Sequence, residues 1–420
     1  MAILLAWRAR RPVKILFERE EEFFATSPRQ PTVTYISMGC DKAGKILYRD
    51  MSMVLDNGAY TSWGATTPSV MMMPITSLYR VPNVRYTAKC VYTNNTYCQA
   101  MRGYGNPQAT FAIESAIDML AEAADIDRVE FRRINSNRPG DVTPQGLRIT
   151  SCGLPECIDA VSKNLDFGQP REKGIGTGLA SLIHVGGGAR IYKSDGCGTM
   201  IKMDDYGKVD VFTGASDMGQ GADTVIAQIV AEELGVKVED IHVFHQDTDI
   251  CPWDVGAHAS RSTFVAGNSA LGAARKIRSR LLAMASNLMG VDQQELSLKD
   301  RAFFVEGKPA LPIAKLLRGS HFTPRGEMMM ADNFYDPPNE NMGKDFRGNM
   351  SATYSFGTHG VRVRVDEATG KIEILDYIAA HDVGRAINPM LLDGQVHGGV
   401  LMGIGYALTE QVISKGPRLL

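Results

Sequence analysis

The stretch Val361-Arg-Val-Arg-Val-Asp-Glu-Ala-Thr-Gly-Lys-Ile-Glu-Ile374 alternates apolar and polar residues on both sides of a Gly-Lys turn. This period-two pattern is typical of two antiparallel strands that share one buried face. The same device recurs at residues 41–45 and 204–208, each time between short apolar runs. Because Gly allows the backbone conformation that such turns need, the three turns predict antiparallel sheets in more than one layer.

Three further segments predict helices. Apolar residues recur at helical spacing over residues 107–124 and 268–289, with charged residues on the opposite face. Residues 224–234 follow the same spacing, with Asp223 as the expected N-cap and Gly235 in the position that ends a helix. Strands and helices that alternate irregularly predict an α+β fold, with mixed, largely antiparallel sheets and helices packed against them.

The chain has 420 residues, of which 44% are hydrophobic, so two domains are expected. The polar, unpatterned residues 166–173 predict a boundary between a first domain at 1–168 and a second at 174–420. The apolar opening, residues 1–7, is interpreted as the buried end of a helix. Residues 318–350 include three prolines and show little periodicity, which predicts a long loop.

Charge and apolar runs exclude several classes of partner. Lys plus Arg total 45 against 47 Asp plus Glu. The net charge of −2 lacks the excess of positive charge that is typical of proteins binding nucleic acid or a membrane surface. No apolar run reaches the roughly 18 residues of a transmembrane helix. Arginines follow the apolar opening instead of preceding it, the reverse of a secretory signal, so a cytoplasmic protein is expected.

The cysteines and histidines show no metal-ligand spacing. Seven cysteines form no C-x-x-C pair, and the tightest spacing, Cys152 to Cys157, lacks the further cysteines of an iron–sulfur or zinc site. The eight histidines form no H-E-x-x-H pattern. Buried, reduced thiols are therefore expected, and any metal here is expected to be held by something other than protein side chains.

Four Gly-rich segments interrupt the predicted strands and helices. They are Gln99-Ala-Met-Arg-Gly-Tyr-Gly-Asn-Pro-Gln108, residues 213–221, residues 246–268 and residues 393–405. Any one of them could be only a tight turn or a helix N-terminus. The phosphate-loop and dinucleotide-binding spacings are absent, as is the nucleophile elbow of the hydrolases. Together the four segments favour a large polar ligand that is bound mainly by backbone amides.

In order, these segments resemble the molybdenum hydroxylases, the family of xanthine dehydrogenase, aldehyde oxidase and 4-hydroxybenzoyl-CoA reductase. The matching motifs are Arg11–Lys14 with Glu18–Glu21, Asp56–Tyr60, Arg102–Gln108, Asp217–Gly221, Gln246–Asp249, Ala259–Thr263 and Asp382–Pro389. The resemblance implies two molybdopterin-binding domains packed around a molybdenum ion that the sulfurs of the pterin hold. It implies the cytosine dinucleotide form of that cofactor, and iron–sulfur clusters and FAD on partner subunits.

The resemblance also assigns residues to the cofactor. In the family, the positions of Arg102 and Ala259 place backbone beside the metal, and Gly103 lets the chain approach closely. Gly219, Gln220 and Gln395 match positions near the pterin and the oxo and sulfido ligands of the metal. The remaining cofactor positions match the pterin or pyrophosphate cradle: Ser260, Arg261, Ser262 and Thr263.

Two residues are candidates for binding the substrate. Tyr104 matches the family's aromatic residue beside the metal, against which a flat substrate stacks; a tyrosine used only for packing is the alternative. Arg190 lies where the family places a polar contact and could hold a carboxylate or acyl group; a surface arginine is the alternative. Residues 70–73 lack the arginine of purine-oxidising members, which disfavours a purine.

Two departures limit the function that this chain could perform alone. The family's Phe-Gly-Gly-Lys loop comes before the segment that matches residues 2–12, and its catalytic Glu comes well after Gly398-Gly399. Further polypeptides carrying those segments are therefore expected, and no catalytic residue is assigned here. The leading hypothesis is oxidation, or reductive dehydroxylation, of an aromatic, N-heterocyclic or aldehyde substrate. The alternative is a noncatalytic scaffold or truncated remnant that keeps the pterin-binding shape.

Overall fold

The computed structural model describes residues 1–169, 172–188, 193–322, 326–415 and 418–419. In these ranges the α-helices are α1 (Ala2–Ala9), α2 (Arg19–Ala25), α3 (Thr67–Ser77), α4 (Asn106–Ala123), α5 (Arg128–Asn135), α6 (Leu154–Asn164), α7 (Ala222–Leu234), α8 (Ser262–Met289), α9 (Ile313–Ser320) and α10 (Pro389–Leu408). None of these helices has the length and apolarity that crossing a bilayer requires.

The strands in the same ranges form several small sheets. They are β1 (Thr32–Cys40), β2 (Ile46–Gly58), β3 (Asn83–Tyr92), β4 (Ile175–Val185), β5 (Cys197–Met203), β6 (Val209–Thr213), β7 (Ile241–Phe244), β8 (Leu296–Lys299), β9 (Ala302–Val305), β10 (Lys308–Pro312), β11 (Met329–Tyr335), β12 (Tyr354–Val365), β13 (Ile372–Asp382), β14 (Ser414–Lys415) and β15 (Arg418–Leu419). The sheet orders are β1-β2-β3, β11-β5-β6-β7, β13-β12-β4, β10-β9-β8 and β14-β15. Among these strands, only the pairs β2–β3 and β6–β7 are parallel. The predicted α+β class with mixed, largely antiparallel sheets is confirmed.

The three predicted Gly-Lys turns all join antiparallel strands. They connect β1 to β2, β5 to β6 and β12 to β13. In each turn the first aspartate (Asp41, Asp204 or Asp366) accepts a backbone N–H from the residue two positions later. A short side chain that bonds its own backbone explains why these turns could be predicted from the sequence.

The predicted helices exist, although their beginnings differ. Helix α4 begins at Asn106, and α8 begins at Ser262, six residues before the predicted start. Asp223 is not the N-cap of α7, because the helix already begins after Gly221. Instead, the carboxylate of Asp217 accepts the N–H of Asp223 at 3.2 Å and performs that capping role.

Two other predictions were wrong in part. The opening segment forms helix α1, but none of its residues is buried. Residues 318–350 contain the end of α9 and the strand β11, which pairs with β5 over seven residues. The prolines at 337 and 338 lie just beyond that strand, so they end it without preventing it.

The apolar core has two parts. One cluster joins β2, α3, α4, α5 and α6 and includes the fully buried Met51, Met71 and Phe131. The other lies between α7, α8 and the β11-β5-β6-β7 sheet. Strand β4 follows the predicted domain boundary, yet its Ile183 and Val185 belong to the first cluster. The boundary between residues 168 and 174 stays a prediction.

A pair of histidines lies across β12 and β13. The Nε2 atoms of His359 and His381 are 2.7 Å apart, and His359 Nδ1 lies 2.9 Å from the hydroxyl of Tyr377. Burial, assisted by the nearby His381, lowers the pKa of His359 from 6.5 to about 4. The neutral ring is therefore the form that the folded chain holds.

We expect the free energy of unfolding to fall as the pH is lowered from about 6.5 towards 4. Between these two pH values the unfolded chain binds a proton at His359 and the folded chain does not, so acid favours unfolding. Above pH 6.5 neither state binds the proton, and the contribution of His359 to the free energy of unfolding is fully present. Urea unfolding at pH 7 and pH 5 would measure it. The variant His359→Gln should show a weaker pH dependence, and an unchanged dependence in that variant would contradict the assignment.

Candidate functional site

The loop of residues 99–108 leads into α4 and is shaped by two glycines. Gly103 and Gly105 have φ of +90° and +89°. A Cβ on Gly103 would lie 2.8 Å from the Pro107 ring, and one on Gly105 would lie 2.7 Å from Met71. These glycines are therefore required first by the packing of the loop itself, before any ligand is considered.

Tyr104 stands between the two glycines in a left-handed conformation, with φ of +36°. Its hydroxyl bonds the Thr66 hydroxyl and donates to the carbonyl of Trp63. Burial raises the pKa of the Tyr104 phenol, and hydrogen bonds from Thr66 and Thr67 partly offset this. The far end of the half-buried ring is thus fixed to the start of α3, while its role as a wall for substrate stays a prediction.

Arg102 and Gln395, which are 293 residues apart, are in direct contact. The Arg102 Nη2 atom donates to the Gln395 main-chain oxygen at 2.8 Å and to its Oε1 at 3.0 Å. The main-chain oxygen of Arg102 in turn accepts a hydrogen bond from Arg29 Nη2 at 2.7 Å. The structure therefore brings the first and fourth Gly-rich segments together.

A histidine joins the first Gly-rich segment to the third. His184, on β4, has its Nδ1 3.0 Å from the Asn106 side-chain nitrogen and its Nε2 2.9 Å from the Ser260 hydroxyl. Burial lowers the pKa of His184, which favours the neutral ring. One ring nitrogen then accepts and the other donates, so the ring can hold both partners at once.

The third segment carries backbone strain immediately before α8. Ala259 and Ser260 have φ of +47° and +53°, a conformation that costs non-glycine residues on the order of 1–3 kcal/mol each. The Gly187 N–H donates to the Ala259 carbonyl at 2.7 Å and helps to hold it. Strain of this kind persists only where the surrounding structure fixes it, and it concentrates at binding sites.

Arg261, which follows the two strained residues directly, is itself held at many points. It is 1% exposed and lies 3.0 Å from Asp195 and 2.8 Å from Asp254. Its Nη atoms also donate to the carbonyls of Gly256 and Gly196. Because the protein itself occupies the guanidinium, any contact from Arg261 to a ligand would have to come from its backbone.

The second Gly-rich segment makes several hydrogen bonds within itself. The carboxylate of Asp217 accepts the N–H of Gly219 at 2.7 Å and that of Gly221 at 3.4 Å. Burial would raise the pKa of Asp217, but these amide bonds and that from Asp223 outweigh it and lower the pKa. Gln220 turns back to the Ser216 carbonyl, so the amides expected to face a ligand are in part used within the loop.

The second segment nevertheless packs against the first turn of α10, the helix that carries the fourth, because a Cβ on Gly221 would lie 2.7 Å from Leu391. The space beside Gly219 is open, since a Cβ there would have no atom of the described residues within 4 Å apart from its chain neighbours. Ser262 and Thr263 form the first turn of α8. Arg190 lies outside the described residues.

Two residues lie at the junction where segments 99–108, 246–268 and 393–405 meet, and the sequence did not predict them. Arg29 and His184 each contact residues more than 70 positions away, and neither lies in the four Gly-rich segments, although His184 comes two residues before Gly186-Gly-Gly188. A single histidine in an apolar strand gives no sequence signal of its own. Its value comes from the register of β4 against β12, which only the fold sets.

Comparison with known proteins identifies the architecture. Models of the molybdopterin cofactor-binding domain match residues 1–136 and 159–418. The chain belongs to the molybdenum hydroxylase family. The prediction of a fold with two molybdopterin-binding domains is thereby confirmed.

Relatives of this molybdenum hydroxylase chain are substantially longer. It is 35% identical, over 96% of its length, to the xanthine dehydrogenase molybdenum-binding subunit of Escherichia coli O157:H7 and covers 54% of that protein. CO dehydrogenase from Oligotropha carboxidovorans superposes with a TM-score of 0.88 at 26% identity, over 100% of this chain and 55% of the other. Quinoline 2-oxidoreductase from Pseudomonas putida 86 gives 0.83 at 25% identity, over 99% and 55%. The chain thus spans about half the length of these proteins.

The residues at the junction fit a molybdopterin. Two buried polar atoms there, Arg29 Nη1 and Asn106 Oδ1, lack a hydrogen-bond partner within the part of the chain that the structure describes. Leaving such atoms unpaired costs about 1–3 kcal/mol each, which a polar ligand would recover. Pterins and phosphates offer the donors and acceptors that these atoms require.

Proposed function

We propose that this chain binds molybdopterin where loop 99–108, loop 246–268 and segment 393–405 meet, as part of a molybdenum-dependent oxidoreductase. The observation that carries the proposal is this convergence, made by the Arg102–Gln395 contact and the Asn106–His184–Ser260 bridge. Their meeting leaves Arg29 Nη1 and Asn106 Oδ1 buried without a hydrogen-bond partner among the described residues, which supports a polar ligand at this place.

The cofactor would be held mainly by main-chain groups. The holding residues are Arg102, Gly103, Gly219, Gln220, Ala259, Ser260, Ser262, Thr263 and Gln395, with Arg261 fixing the strained turn from behind. The N–H groups in the first turn of α8 have no partner within the helix, and Arg261 at its N-cap makes no side-chain capping bond, so this helix start suits the pyrophosphate of a cytosine dinucleotide form. When bound, the cofactor would supply a molybdenum centre that exchanges electrons with the substrate.

The substrate that we propose is a small aromatic, N-heterocyclic or aldehyde compound, oxidised or reductively dehydroxylated. Tyr104 would form one wall of its slot, and Arg190 would bind a carboxylate or acyl group. Electrons would leave through an iron–sulfur subunit and an FAD subunit, in the cytoplasm. The relatives' names support this range, since they include an aldehyde oxidoreductase and a quinoline oxidoreductase.

A further molybdopterin-domain polypeptide would complete the site. The accessible surface is 23977 Å², whereas a compact monomer of 45.8 kDa would expose about 16,000 Å². Helix α10 is largely apolar, yet Met390 and Leu401 are 75% and 70% exposed. Apolar surface of this extent marks an interface, which supports a further molybdopterin-domain segment packed against α10.

Metal analysis tests the proposal. The complex would be purified from its native host, and molybdenum and pterin would be measured per chain together with activity. We expect about one of each per chain in active enzyme. Active complex without molybdenum would refute the proposal, and cofactor-loaded complex without any activity would favour the noncatalytic scaffold. Turnover by the isolated chain would contradict the need for a further polypeptide.

A further inference from the structure

His184 is the one side chain in the described ranges that bonds both loop 99–108 and loop 246–268. Its strand, β4, pairs with β12 over eleven residues, and its neighbours Ile183 and Val185 are buried in the first apolar cluster. Because side chains alternate along a strand, His184 projects from the opposite face, towards the two loops. The ring thus stands on a rigid, packed support.

We infer that His184 is a positioning residue that fixes Asn106 and Ser260 relative to each other. Asn106 would then present its side-chain oxygen to the pterin as a hydrogen-bond acceptor. The inference rests on the proposed function. Asn106 is the first residue of α4 and follows Gly105 directly, so fixing its side chain fixes the end of loop 99–108. Ser260 is one of the two strained residues before α8, and strain there must be held from outside the turn.

The hydrogen-bond directions favour this role. The Asn106 side-chain nitrogen donates to Nδ1 of His184, so the other ring nitrogen carries the proton and donates to the Ser260 hydroxyl. Asn106 Oδ1 then remains buried and without a partner among the residues that the structure describes. A ring N–H or an amino group, as pterins carry, is the chemistry that would satisfy this oxygen.

The coupling can be measured without any cofactor. Hydrogen exchange would be followed in the full chain at residues 101–106 and 257–261, for His184→Leu, Asn106→Leu and the double variant. We expect each single variant to speed exchange in both loops by at least tenfold, and the double variant to add little, since the two residues act through one bridge. Exchange that stays unchanged in His184→Leu, or effects that simply add, would overturn the coupling.

A matched control separates coupling from loss of packing. His359 is half-buried on β12 and faces the same side of the sheet, because its register partner is Ala180, four residues from His184. His359→Leu should leave exchange in both loops unchanged. An equal acceleration in this variant would show a general loosening of the sheet and would refute the specific role of His184.

The link to the cofactor has its own readout. Pterin and molybdenum per chain should fall at least tenfold in His184→Leu and in Asn106→Leu, but not in His359→Leu. If His184→Leu keeps its full pterin content although amide hydrogens in both loops exchange faster, His184 does not act on cofactor binding. The coupling of the two loops through His184 would still stand. If the unaltered chain carries no pterin in any preparation, the proposed function fails, and the exchange result still decides the coupling.

Discussion

Replacing Arg261 with Met should lower the free energy of unfolding by about 3–5 kcal/mol, because two buried carboxylates would lose the arginine that pairs with them both. Asp195 and Asp254 are 2% and 3% exposed, and both lie within 3.0 Å of the guanidinium. The carbonyls of Gly256 and Gly196 would lose a donor in the same step. A Met side chain fills similar volume but supplies no charge, so the loss is electrostatic and polar rather than steric.

Urea unfolding at pH 7 would measure this loss. Arg275→Met is the matched control, because Arg275 lies on α8, which begins directly after Arg261, and is 66% exposed and 3.7 Å from Glu233. An exposed pair of that kind contributes about 0–1 kcal/mol, so the control should be nearly neutral. Arg261→Lys should be intermediate, since an ammonium keeps the charge but cannot bond both aspartates in the same geometry. A loss below about 1 kcal/mol in Arg261→Met would show that the aspartates find other partners.

The elements that the sequence predicted are those whose cause is local. The turns beginning at Asp41, Asp204 and Asp366 form because an aspartate side chain bonds the backbone within four residues. Helix α4 follows from an apolar face that repeats over five turns. Strand β11 was missed because its pairing with β5 lies in the fold, and its own sequence lacks a strong strand pattern.

The site could be predicted only as a set of segments. The resemblance indicated which loops matter, but not that Arg102 would bond Gln395 or that a histidine on β4 would bridge two loops. Arg261 shows the limit most clearly. An arginine in a predicted cradle is equally suited to bind an anionic ligand or two buried aspartates, and only the packing of Asp195 and Asp254 beside it decides between them.

The second large effect is expected at Gly103. Gly103→Val should abolish cofactor binding, because φ of +90° is strained for any side chain and a β-branched one would collide with Pro107, 2.8 Å from the position of Cβ. Relief would require the loop to move, and Arg102 with its bonds to Gln395 would move with it. Molybdenum and pterin per chain should fall to background, while urea unfolding should show a loss of about 1–3 kcal/mol.

In the complete enzyme, Tyr104→Ala should raise KM and leave cofactor content unchanged, the reverse of the effect expected for Gly103→Val. The tyrosine bonds the loop to Thr66 and Trp63 through its hydroxyl alone, so the main-chain groups proposed to hold the cofactor remain after its removal. Cofactor content should stay near that of the unaltered enzyme, and KM should rise by about two- to tenfold, the worth of one aromatic stacking contact. Cofactor lost from Tyr104→Ala but kept in Gly103→Val would reverse the two roles, with the ring holding the cofactor and the backbone turn dispensable.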